Sequence, residues 1–125
     1  MASNTSGDDR PLIDPQAIER LRELDHSGQH GVLERVLRAY HGSLGRHLDD
    51  IAQAQAASDT DRLLRAVHTL KSSSAAVGAA GFSQRCADIE QAVRSDKALP
   101  DHGQVEALIH EGRLVRSAVG AMLAP

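Results

Sequence analysis

Apolar residues return at three- and four-residue steps through most of the chain, and the breaks between these stripes predict five helices. Asp14-Pro15 opens the first helix. Aspartate is a good N-cap, and proline lacks only an N–H that the first helical position leaves unpaired. Ile18, Leu21 and Leu24 make this a short amphipathic helix ending near Leu24, interrupted by His26-Ser27-Gly28. The second helix runs from about Gln29 to Ala57, with Leu33, Val36, Leu37, Tyr40, Leu44, Leu48 and Ile51 on one face. Gly42 and Gly45 weaken it by ~1 kcal/mol each against Ala and make room for a bend. Ser58-Asp-Thr-Asp61 resembles a capping box and starts the third helix. That helix turns Leu63, Val67, Leu70, Ser74 and Val77 inward and takes Gly78 as its C-cap. Phe82, Cys86, Ile89 and Val93 form the stripe of the fourth helix, Ala80 to Ser95, and Lys97 to Pro100 is a loop. Asp101 with Gln104 caps the fifth helix, whose Val105, Leu108, Gly112, Val115, Val119 and Met122 face inward.

Every connection after the first helix is short, so sequential helices lie antiparallel. The expected fold is all-α: an antiparallel up-down four-helix bundle with the short N-terminal helix packed across it. Composition agrees. Aromatics are 2%, namely Tyr40 and Phe82, and the chain is rich in alanine, the best helix former. Residues 1–11 are small, polar and without period, and read as a disordered tail. Residues 12–125 form one domain, long enough to bury a core without staples.

Charge and cysteine usage narrow the function. Lys plus Arg is 14 and Asp plus Glu is 17, a net charge of −3, which argues against a nucleic-acid binder. No apolar run reaches the ~18 residues of a membrane span, and the N-terminus has no basic or apolar signal region, so a cytoplasmic protein is expected. Cys86 is the single cysteine. It excludes an internal disulfide and a multi-thiolate metal site.

The third helix carries the distinctive feature. Leu64, His68, Lys71, Ser72 and Ala75 share one flank beside the core stripe. A neutral imidazole is a competent nucleophile near pH 7. A lysine one turn away offsets negative charge placed on that ring, and the small residues beyond it let another protein's backbone approach.

His68-Thr-Leu-Lys-Ser-Ser-Ser-Ala-Ala-Val-Gly-Ala79, followed by Phe82, Cys86 and Ile89-Glu90, resembles the histidine-containing phosphotransfer (HPt) domain. The family pattern has His-x-Leu-Lys-Gly-Ser-Ser, a later Gly, then a Cys and a Leu-Glu-like pair on the next helix. The spacing matches throughout. The departure is Ser72, where the family usually has glycine; a small hydroxyl still permits close approach.

The resemblance implies a carrier in a multistep two-component phosphorelay, not an ATP-dependent kinase. His68 would accept a phosphoryl group through its outer ring nitrogen from a receiver-domain aspartyl phosphate and pass it to another receiver's Asp. Lys71 would steady the phosphoryl charge. Glu90 stands where the family often has Gln or Glu, and would accept a hydrogen bond from the inner imidazole nitrogen to fix the tautomer. Arg94, one turn on, either contacts phosphate or pairs with Glu90. Partners would be response-regulator receiver domains and a hybrid sensor histidine kinase, docking on Leu64, Lys71, Ser72 and Ala75, with residues near Ile13 contributing. No cofactor is expected on this chain, since Mg²⁺ belongs to the receiver, and a monomer is expected. The Met1 start favours a free-standing protein over a piece of a hybrid kinase. The competing class is a helical module that binds a receiver or an enzyme on the same face without phosphotransfer.

Other motifs read as structural. Cys86 sits on the apolar stripe and is a core thiol rather than a nucleophile. Lys71-Ser72-Ser73 resembles the end of a phosphate-binding loop, but Leu70 stands where that loop requires a glycine before its lysine. His26 and His30 have a metal-like spacing broken by Ser27-Gly28, and Glu23-x-x-His26 is half of a di-iron motif at most. No metal site is expected. His41, His47, His102 and His110 read as surface residues.

Overall fold

A computed structural model describes residues 11–24 and 31–123, which form five helices: α1 (Pro15–Glu23), α2 (Val32–Ala57), α3 (Thr60–Ala76), α4 (Ala80–Asp96) and α5 (His102–Leu123). The expected N-terminal tail, the break at His26-Ser27-Gly28, the start of the second helix at Gln29 and the His26/His30 pair lie outside the described residues.

Local chemistry sets the helix ends. Asp14 caps α1, its side chain accepting from the Gln16 N–H at 2.9 Å, with Pro15 in the first turn. Asp101 caps α5 through the Gln104 N–H, also at 2.9 Å. The expected capping box at Ser58 is corrected. Ser58 adopts a left-handed conformation (φ +54°) and closes α2, with its own N–H and that of Asp59 bonded back to Gln55 and Ala54. This is the Schellman termination. The cap of α3 therefore moves to Asp59, whose side chain accepts from the Arg62 N–H at 3.1 Å. Gly78 closes α3 in the same way at φ +88°, with Ala79 N–H bonded to the Ser74 carbonyl. α2 runs unbroken through Gly42 and Gly45, because Leu44 and Leu48 lock that stretch into the core.

α2, α3, α4 and α5 each pack on their chain neighbours, and α5 returns to α2 to close the ring. Leu44, Ile51, Leu63, Val67, Leu70, Phe82, Cys86 and Leu108 are fully buried at its centre. Each such aliphatic or aromatic side chain contributes ~1.5–3 kcal/mol relative to exposure. One hydrogen bond crosses this core, between the Tyr40 and Ser74 hydroxyls at 2.7 Å. α1 lies against α2 and hooks the α3–α4 turn, donating the Asp14 N–H to the Gly78 carbonyl at 2.8 Å. A Cβ on Gly78 would stand 2.6 Å from that of Ala17, so the hook requires glycine there.

Two residues of the expected stripes face outward. Leu24 is exposed because it follows the last turn of α1, and Met122 because in the final turn of α5 it is Leu123, not Met122, that packs against the core. Among the described residues, no helix is long and apolar enough to cross a membrane.

Candidate functional site

The α3–α4 hairpin brings His68 and Glu90 together. His68 lies on α3 beside the buried positions Val67 and Leu70, so its ring emerges at the edge of the core with 59% of its side chain exposed. Glu90 lies on α4 between the buried Ile89 and Val93, and its side chain is only 7% exposed. The His68 Nδ1 and the Glu90 Oε2 are 2.7 Å apart.

A buried carboxylate is costly unless it is paired. Glu90 has three partners. Lys71 Nζ lies 2.7 Å from Oε1. Arg94 reaches Oε2 with Nη2 at 2.9 Å and with Nε at 3.3 Å. The third is His68. Burial pushes the Glu90 pKa up, but the hydrogen bonds from Lys71, Arg94 and His68 outweigh it and hold the group down at about 2. The carboxylate is therefore ionised at neutral pH and acts only as an acceptor, so the proton between it and the imidazole sits on Nδ1. In the neutral ring Nε2 is then the lone-pair nitrogen, and it has no hydrogen-bond partner among the described residues. One carboxylate faces two permanent cations beside that nitrogen, which leaves the surroundings favourable to an arriving anion.

The remaining flank residues are placed as follows. Ser72 and Ala75 are exposed and leave a low surface below His68. Leu64 is half-buried and packs on the core, as does Ile13 from the segment before α1. Arg94 pairs with Glu90, one of the two arrangements that the sequence allowed. Its side chain remains 58% exposed. Sequence reasoning passed over Ser83, whose Oγ donates to the Lys71 carbonyl at 2.7 Å and ties α4 to α3 beside the lysine. The signal was available: Lys71 and Ser83 flank the same short turn, near the end of α3 and the start of α4, where an antiparallel hairpin brings residues face to face.

The other candidates lie apart from this site. Cys86 is fully buried in the core, and burial, reinforced by Glu111, pushes its thiol up to about 12. His102 and His110 are exposed. His41 and His47 are half-buried rather than surface residues; the His47 ring nitrogen Nδ1 bonds the Ser43 carbonyl one turn back at 2.8 Å. Among the described residues, no three His, Cys, Asp or Glu side chains converge as a metal site.

A family model for the Hpt domain matches residues 35–122. No curated protein gives a significant match. Two solved structures share the fold. One is histidine-containing phosphotransfer protein B (HptB) from Pseudomonas aeruginosa PAO1, 19% identical, with a TM-score of 0.78 over 90% of this chain and 95% of that one. The other is the HPT domain of the Hpt sensor hybrid histidine kinase from Shewanella, 22% identical, with a TM-score of 0.75 over 90% of this chain and 93% of that one.

Proposed function

The chain belongs to the Hpt domain family, whose members carry phosphoryl groups on histidine within phosphorelays, and we propose that His68 is the carrier residue and that receiver-domain aspartates are its donors and acceptors. The observation that carries this reading is the 2.7 Å contact of His68 Nδ1 with a buried, ionised Glu90 beside an exposed Nε2.

In the forward step the Nε2 lone pair attacks the phosphorus of an aspartyl phosphate. The N–P bond forms as the acyl P–O bond breaks, and the aspartate leaves as a carboxylate. No proton need move, because Nε2 carries none. The imidazole gains positive charge as it is phosphorylated, and Glu90 stabilises that charge through Nδ1–H. Lys71 and Arg94 face the same carboxylate and offset the incoming phosphoryl oxygens. The reverse step, onto a second receiver, runs through the same arrangement. This chain supplies the nucleophile, its orientation and the cations. The divalent cation and the phosphorylatable aspartate come from the receiver, which docks over Ser72 and Ala75, where the surface is low.

The test is phosphoryl transfer from a phosphorylated receiver domain, read by intact mass and acid lability, with His68→Gln alongside. An acid-labile gain of one phosphoryl group by wild type alone is expected. Binding to several competent receivers without any gain overturns the reading in favour of a non-catalytic docking module.

A further inference from the structure

A second polar cleft lies across the bundle from His68, on the seam between α2 and α5. It has a volume of about 390 Å³ and is lined by His41, Arg113, Arg116, Ser117 and Gly120. None of these belongs to the His68 site. No carboxylate lines the cleft, although the whole chain is acidic, with 17 Asp and Glu against 14 Lys and Arg.

The cleft is built rather than incidental. Arg116 is half-buried, and its Nε donates to the His41 carbonyl at 3.0 Å. A Cβ at Gly45 would stand 2.8 Å from that Nε and 3.0 Å from Cζ and Nη2, so the guanidinium rests directly on the α2 backbone. Gly120 makes similar room for the His41 ring, 3.3 Å from where its Cβ would be. Arg113 is exposed one turn before Arg116, on the same face of α5. Among the described residues, neither arginine has an acidic partner. Burial, then the charges of Arg116 and Arg38, press the His41 pKa below its usual value. Arg38 itself is paired with Glu34 at 2.6 Å.

We propose that this cleft binds a phosphate-class dianion, held by Arg113, Arg116, His41 and Ser117. Two guanidinium groups, an imidazole and a hydroxyl supply more donors than the two oxygens of a carboxylate accept, whereas a tetrahedral oxyanion uses them all. A planar guanidinium already fixed by its own Nε loses little freedom on binding.

The experiment titrates the full chain with inorganic phosphate at constant ionic strength, with chloride as the balancing anion, and follows the His41 ring by NMR. A saturable shift is expected. Arg113→Gln and Arg116→Gln are each expected to weaken it about tenfold or more, and His68→Gln to leave it unchanged. Arg113 makes no hydrogen bond or ion pair among the described residues, so that variant tests the site even if Arg116→Gln disturbs the fold. A linear drift that chloride reproduces, or a response indifferent to Arg113→Gln, overturns the proposal. A glutamate-rich peptide that shifts His41 where phosphate does not also overturns it, and makes the seam a protein-docking surface instead.

Discussion

The imidazole of His68 and the carboxylate of Glu90, 22 residues apart in the chain, meet at 2.7 Å across two antiparallel helices. The contact joins a group that is mostly in water to one that is almost wholly out of it. The buried partner cannot swing away, so the exposed ring inherits its orientation.

Replacing that carboxylate by an amide is therefore expected to slow phosphoryl transfer without unfolding the chain. Glu90→Gln keeps the shape but removes the charge that stabilises the ring as it becomes cationic. The loss is expected to be ~10- to 100-fold in rate, equivalent to the ~1.5–3 kcal/mol of a hydrogen bond to a charged group. Single-turnover transfer from a phosphorylated receiver measures it, and an unchanged rate would reduce Glu90 to a structural residue.

The same residue sets an acid limit to stability. Glu90 titrates at about 2 in the folded chain against an ordinary 4.5. Its folded pKa is depressed, so its contribution is complete above about pH 4.5 and is lost as pH falls towards 2. After allowance for water around the exposed Lys71 and Arg94, that contribution is on the order of 1–2 kcal/mol. Denaturant melts of wild type and Glu90→Gln at stepped pH are expected to converge across this window. A pH-independent difference would contradict the assignment.

Tyr40 and Ser74 form a polar pair inside an apolar core. Tyr40→Phe strands the Ser74 hydroxyl and Ser74→Ala strands the phenol, each at ~1–3 kcal/mol. The double variant is expected to cost less than the two single losses together. Burial, offset in part by the hydrogen bond to Ser74, raises the phenol to about 12. Tyr40 is the chain's single tyrosine, so tyrosinate absorbance is expected near pH 12 rather than 10, or at the point of alkaline unfolding.

Cys86 provides a readout of the core. Its thiol is buried and held near 12, and the thiolate is the reactive form. A disulfide-exchange reagent at pH 8 is expected to leave the native chain untouched and to modify one thiol per chain in denaturant. Rapid native reaction would mean that the α4 seam opens.

Much of this was legible in the sequence, because the bundle rests on local rules. Pro15 after Asp14, Gln104 after Asp101, and the stripes of α2 through α5 each state their structure within a few residues. The errors fall where two elements compete for one residue or where an element ends. Ser58 has the chemistry of a cap for α3, but its N–H is claimed by the end of α2. Met122 keeps the period of α5, but in the last turn Leu123 takes the place against the core. At the site, the resemblance marked His68, Lys71 and Glu90, but periodicity put Glu90 only beside its stripe. Its burial depends on two cations and an imidazole from two helices, and pairwise spacing does not show how such a charge is shared. The pairing of Arg94, left open by sequence, is decided by the same arrangement.

The hydrogen bonds around His68 involve Lys71, Ser83, Glu90 and Arg94, all within the stretch from Thr60 to Asp96. A single turn, residues 77–79, joins the two helices, and closing it costs little chain entropy. α2 and α5 add no atom to that network, so substitutions on their outer faces leave the hydrogen bonds of the reactive centre intact.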